Sequence, residues 1–340
     1  MKVILFNALK SFFGVICTII TLLQFFIGTS TYEKLREKLN IPQTLSVGQK
    51  VFGVIVIFIL VLVCSLIKYN YKNTKAKETA LKMHQFHHEI RNETFEMRKL
   101  NSQKPTMNHI VYYSYVNKTC YKLCQYIHEF IKNKCGKDFS VCIKMIDDRS
   151  LKKYKNIDEA KVYTLCRAGA KHELREENEK NLSHGQEISN NHIYTSVKGN
   201  SDFYTIMSNS KKDIATTAFA CSNLRMLYLL SKILKSVDYE NTTPKFWKHY
   251  KSTIVVPIRI DGNRLNNSYE IRIPNNTYQT IAFLCVDYKK PISKALKEEL
   301  AGYMKSFGDA FFDFFYEVSI MDRNIAIKEE NRMKKYQGAK

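Results

Sequence analysis

Tyr250 to Ile260 reads YKSTIVVPIRI, and Ile281 to Ser293 reads IAFLCVDYKKPIS. Ser252 to Ile260 and Thr280 to Asp287 are short and rich in β-branched and aromatic residues, the kind that suit a pleated, half-buried surface, so both are expected to be strands. Pro291 then begins a helix whose apolar positions, from Ile292 and Leu296 through Leu300, Met304, Phe307, Phe311, Phe314 and Phe315, recur at helical spacing. A long helix with one greasy face needs a sheet to lie on, and the two strands ahead of it are its natural floor.

Upstream, Met107 to Lys134 carries a second helical stripe through Ile110, Tyr113, Val116, Cys120, Leu123, Ile127, Phe130 and Ile131. Gly136 breaks it, and Phe139 to Ile146 and Lys161 to Arg167 follow as two more strand-like runs. A charged stretch from Lys171 to Lys180, a polar loop to Asn200 and helical segments near Asp202 to Ser208 and Leu224 to Ser236 separate these strands from the last two. Helix, two strands, an interrupted middle, two strands and a closing helix predict an α+β domain, an antiparallel sheet with flanking helices.

The C-terminal pattern resembles the last third of a GAF domain. In that family a strand with an apolar-Pro-Ile pattern precedes a strand that ends in a small or acidic residue near a proline-led helix. Pro257 and Ile258, then Val286, Asp287 and Pro291, hold those places. The resemblance covers about Met107 to Tyr316. It implies a ligand pocket between sheet and covering loops, with Arg167, Ser222, Asn223, Arg225, Arg259 and Asp287 as its polar contacts. Arginine suits a phosphate or carboxylate. For each of these residues the competing reading is a surface ion pair. The Asn-Lys-Phe-Asp tetrad of cyclic-nucleotide-binding members is missing, and no bilin-attachment context surrounds Cys166, Cys221 or Cys285, so the cofactor stays unknown.

At the other end of the chain, Ser11 to Ile27 and Val51 to Ile67 are two uncharged apolar runs of 17 residues each. They predict a transmembrane helical hairpin within residues 1–68, with spans of about 10–28 and 50–68 and with Lys10, Lys50 and Lys68 reaching to the headgroups. The alternative for the first run is a cleaved signal peptide. Lysines crowd the exit of the second run, and the many unpaired thiols suit a reducing compartment, so both termini are placed in the cytoplasm and the chain in the cell inner membrane as a multi-pass protein. Residues 69–104 lack glycine and proline and read as a helical stalk that pairs weakly in a homo-oligomer. Residues 105–317 are the GAF-like sensor domain, and residues 318–340 a basic tail.

The net charge of +21, from 53 basic and 32 acidic residues, is spread among acids rather than gathered in a block. It fits lysines beside anionic lipid better than specific nucleic-acid binding. His84, His87 and His88 have helical metal-like spacing, as do Cys120, Cys124 and His128, but neither set has a partner cluster, and both read as a polar face and core packing respectively, with no metal expected. Neither a phosphate loop, nor HExxH, nor GxSxG, nor a kinase signature occurs, and no catalytic residue or enzymatic activity is expected.

The resulting expectation is a membrane-anchored bacterial signalling or regulatory protein. Its cytoplasmic domain binds a small molecule, such as a nucleotide, or a partner, and passes the change to the membrane helices. One alternative is a nucleotide-responsive pore-forming effector of a phage-defence system. Another is a membrane-bound enzyme with an unrecognised site, for which His184, His192 and Asp287 are the residues to test.

Overall fold

The computed structural model describes residues 47–103, 109–147, 157–169, 194–209, 218–234, 239–242, 246–261 and 278–337. The first apolar run, Ser11 to Ile27, and the loop histidines His184 and His192 lie outside them. By its contacts the chain divides into two compact units, Met1–Ala76 and Lys77–Lys340.

In the first unit the described residues belong to α1, which runs Val47–Gln103 and continues into the second unit. The run Val51 to Ile67 lies in this helix. From Phe58 on its large side chains stand in the open: Ile59 is 50%, Leu66 53% and Ile67 63% exposed. Among the described residues no helix is long and apolar enough to cross a membrane. At 1.5 Å per residue the uncharged run spans about 26 Å, short of a hydrocarbon core of roughly 30 Å.

The second unit is built on one six-stranded antiparallel sheet in the order β3-β2-β1-β6-β5-β4. The strands are β1 Ser140–Ile146, β2 Lys161–Gly169, β3 Thr195–Ser196, β4 Phe219–Cys221, β5 Ser252–Asp261 and β6 Tyr278–Tyr288. The helices are the C-terminal part of α1, then α2 His109–Cys135, α3 Ser201–Asn209, α4 Leu224–Leu234 and α5 Lys294–Gln337. The mixed α+β class expected from sequence is what is found, and β1, β2, β5 and β6 each fall within two residues of the expected strands.

Because successive side chains on a strand point to opposite faces, the sheet has two unlike sides. Val141 and Ile143 of β1, Ile254, Val256 and Ile258 of β5, and Ala282, Leu284 and Val286 of β6 face one side. There they join Leu123 and Ile127 of α2 and Met304, Phe307 and Phe311 of α5 in the main core. Phe86, Ile90 and Met97 of α1 are buried in the same core, and the Phe86 ring meets Phe307 edge-on at 4.6 Å. This stretch of the segment read as a stalk is therefore a packed layer of the domain. Likewise α5 does not stop before the basic tail but runs through it to Gln337. It begins at Lys294, with the Ser293 hydroxyl accepting the Leu296 N–H at 3.3 Å as an N-cap, so Pro291 leads the helix in without being part of it.

β3 has no counterpart in the expected elements, whereas β4 lies within Phe203 to Asn223, where the GAF resemblance implies a short helix and strand. At two and three residues neither strand is long enough to show a period.

Candidate functional site

The second face of the sheet carries Cys142 and Ile146 of β1, Val162 of β2, Val255 of β5 and Phe283 and Cys285 of β6, covered by Phe203 and Ile206 of α3. At one end this face changes from apolar to charged. β6 supplies Asp287, β1 pairs Ser140 with it, and β5 pairs Thr253 with it from the other side. Arg167 enters from β2, one strand farther out, where it stands opposite Cys142.

The contacts are short. Arg167 Nη1 donates to Ser140 Oγ at 2.9 Å and lies 3.6 Å from Asp287 Oδ2, and both charged side chains are nearly closed off from solvent. Thr253 Oγ1 donates to Asp287 Oδ1 at 2.7 Å. Burial of such a pair is tolerated because the carboxylate gains both a counter-charge and a hydroxyl.

A second carboxyl belongs to the same neighbourhood. Asp202 at the start of α3 is buried, and its Oδ1 accepts the N–H of Phe203 at 3.1 Å. Burial, and after it the negative charge of Asp287, push its pKa up to about 6, while the Phe203 N–H and the Lys144 ammonium pull the other way. Lys144 reaches over the Phe203 ring at 5.8 Å and bonds Thr164 Oγ1 at 3.3 Å. Tyr250 and Tyr239 are buried beside these acids, and burial raises both phenols well above their usual range, so they are hydroxyl donors at any physiological pH. Asn241 Nδ2 donates to the Tyr250 hydroxyl at 2.9 Å. The thiols of Cys142 and Cys285, cross-strand partners, are hydrogen-bonded. That bond lowers the pKa of Cys142, whereas burial raises that of Cys285.

The raised pKa of Asp202 has a direct consequence for stability. A carboxyl that titrates higher folded than unfolded favours the folded state fully below the ordinary carboxylate value near 4. That contribution is lost as pH climbs through about 6. The span corresponds to about 3 kcal/mol as an upper figure. Asp202→Asn, which keeps an oxygen for the Phe203 N–H, is expected to be more stable than the wild type at neutral pH. Its urea midpoint should also be flatter between pH 4 and 7. Parallel pH profiles for the two proteins would rule this out.

Of the six residues expected at a ligand, the fold brings Arg167 and Asp287 together and disperses the others. Asn223 caps α4, its Oδ1 accepting the Met226 N–H at 3.1 Å. Ser222 offers its carbonyl to the Ile292 N–H at 3.1 Å. Arg225 is exposed on α4. Arg259 has Asp309 of α5 as its strongest charged neighbour, away from Arg167 and Asp287. The β5–β6 register shifts beside it, Ile258 pairing Ala282 and Arg259 pairing Thr280, with Ile281 of β6 as the extra residue.

Among the described residues no group of three or more histidines, cysteines or acids could hold a metal ion. His84 and His88 bond each other at 2.9 Å on the exposed side of α1, and the Cys124 and Cys166 sulfurs lie 3.6 Å apart in the main core.

No family model matches the chain, and neither does any curated protein. Among solved structures it is similar to a type II free methionine-R-sulfoxide reductase from Thermoplasma acidophilum, at 12% identity over 57% of this chain and 93% of that one, with a TM-score of 0.30. It is also similar to the GAF domain of an Acinetobacter phosphoenolpyruvate-protein phosphotransferase, at 11% identity over 65% of this chain and 89% of that one, with a TM-score of 0.28. The expectation that the chain is not an enzyme is corrected at this point, since one of these neighbours is a reductase and the likeness does not separate catalytic from sensory domains. Scores this low assign neither a family nor an activity; what the chain shares with these structures is a sheet-and-helix scaffold of the same general kind.

Proposed function

We propose that the chain is a membrane-anchored regulatory protein whose larger unit is a GAF-like domain that binds a small polar molecule at the charged end of its second sheet face. The observation that carries this reading is the concentration of Arg167, Asp287, Asp202, Thr253 and Tyr250 in one buried place. Buried charge and perturbed titration in a sheet otherwise lined by apolar side chains cost stability unless they serve recognition or chemistry. Because the charge of Arg167 is largely met by Asp287, the site suits a neutral or zwitterionic molecule better than a polyphosphate. This narrows the expectation drawn from arginine alone. The anchor is supported by the exposed apolar side chains of α1 between Phe58 and Ile67, followed by Lys68, Lys72 and Lys75. Its short run would cross a bilayer with Lys50 and Lys68 extended toward the headgroups.

The test is mass spectrometry of small molecules released from the full chain purified in mild detergent, beside Arg167→Met and Asp287→Asn purified in the same way. A compound near one per chain in the wild type and depleted at least tenfold in both variants is the expected result. The same spectrum from all three proteins would end the proposal.

A further inference from the structure

α4 is an 11-residue helix, LRMLYLLSKIL, that is apolar nearly all the way round. Its inner side is accounted for: Leu224 is buried with Tyr239, Phe246 and Tyr250, and Leu227 and Tyr228 pack against them. Its outer side is not. Met226, Leu229, Leu230 and Ile233 are 54%, 44%, 37% and 73% exposed, and their spacing of three, four and seven places them in one stripe. A helix that buries one apolar face in its own domain and offers a second to water is set up for a partner.

The charges beside the stripe indicate which partner. Arg225 and Lys232 are seven residues apart, so they share one shoulder of the stripe, and the helix has no acidic residue. Lys251 adjoins its N-terminus, where the Leu224 N–H donates to the Lys251 carbonyl at 2.7 Å. A protein surface would have to match the four exposed side chains of this stripe. Those four side chains offer only a few hundred Å², well below the ~800 Å² per partner of a standard interface, so a second copy of the chain is a poor occupant. An anionic lipid surface needs no such area. It takes up a narrow apolar stripe to a depth of roughly 5–10 Å and is attracted by flanking cations.

We infer that α4 is an interfacial helix that seats Met226, Leu229, Leu230 and Ile233 in the headgroup boundary of an anionic bilayer, with Arg225 and Lys232 on the lipid phosphates. This contact is separate from the N-terminal anchor and does not require it.

The experiment uses the full chain in vesicles. Trp247 is the chain's one tryptophan. Replacing it by phenylalanine and placing a new indole with Ile233→Trp, an exposed position, puts a reporter on the stripe. Vesicles of phosphatidylcholine and phosphatidylglycerol are made with and without brominated acyl chains. Emission is expected to fall about twofold with brominated lipid, the effect of an indole at interfacial depth. Adding Arg225→Glu and Lys232→Glu should reverse most of that loss, and so should replacing phosphatidylglycerol by more phosphatidylcholine. As a second reading, wild-type Trp247, whose ring packs 5.1 Å from Tyr228 of α4, should lose less emission than the reporter at 233. Equal emission in brominated and plain vesicles overturns the inference, as does cross-linking through position 233 to a second copy or another protein. Alkaline extraction of the same vesicles reads the anchor separately. A chain stripped by alkali removes the membrane-anchor reading, while the quenching recorded before extraction still decides α4.

Discussion

Gly169→Ala is expected to lower the unfolding free energy by about 3 kcal/mol or more, enough to remove much of a typical domain's stability. Gly169 ends β2 with φ of +88°, a conformation that L side chains rarely adopt. A Cβ there would stand 2.2 Å from the carbonyl oxygen of Phe139 and 2.3 Å from Cδ2 of His128. Neither neighbour can step aside cheaply. The Phe139 carbonyl immediately precedes the Ser140–Gly169 register pair that starts the β1–β2 ladder. The His128 ring is held through Nε2, 2.8 Å from Asp138 Oδ1. Gly136 is the matched control: its φ is +63° and a Cβ would meet nothing within 4 Å. Gly136→Ala should therefore cost only the left-handed backbone penalty, about 1 kcal/mol. Urea midpoints of the two variants compare them directly, and equal losses would show that the close approach at Gly169 carries no weight.

Asp287→Ala should be the most damaging change at the charged end of the sheet, at about 3–5 kcal/mol. It takes from the buried Arg167 guanidinium the carboxylate 3.6 Å away, and from the Thr253 hydroxyl its acceptor at 2.7 Å. It also leaves a space where the side chain was. Because the Asp287 charge is one cause of the raised pKa of Asp202, the same change should bring Asp202 down toward the ordinary carboxylate range. Carboxyl NMR of Asp202 would record that fall. Replacing Arg167 and Asp287 together by methionine and leucine should be far milder than Asp287→Ala alone, since a buried ion pair can be exchanged for apolar groups at little cost. A double variant as unstable as the single one would contradict the ion-pair account.

The scaffold was legible because its signals are periodic. Strands β5 and β6 have dense β-branched sequence, and α2 and α5 repeat apolar residues at helical spacing over many turns, so local preference and packing agree. The site was legible only in halves. Arg167 and Asp287 were expected at a ligand only through the GAF resemblance, as polar contacts of the pocket it implies. Their companions were readable by alternation, since Ser140 and Cys142, like Cys285 and Asp287, are two apart and must share a face. Asp202 gave no such signal: an acid at the start of a short helix is ordinary, and only tertiary packing buries it. Asn223 could have been recognised from its place directly before an apolar helix, as a cap rather than a ligand contact. Arg259 was beyond reach, because no local pattern announces the register shift beside it or its approach to Asp309 of α5.

The margins of the sheet bear on how this protein survives at high local concentration. The outermost strands described, β3 and β4, are two and three residues long. β3 pairs only Lys161 and Val162 of the nine-residue β2, and β4 pairs only Thr253 to Val255 of the ten-residue β5. Among the described residues the rest of β2 and β5 has no neighbour on that side, and it is there that a foreign strand would add a rung when copies are crowded.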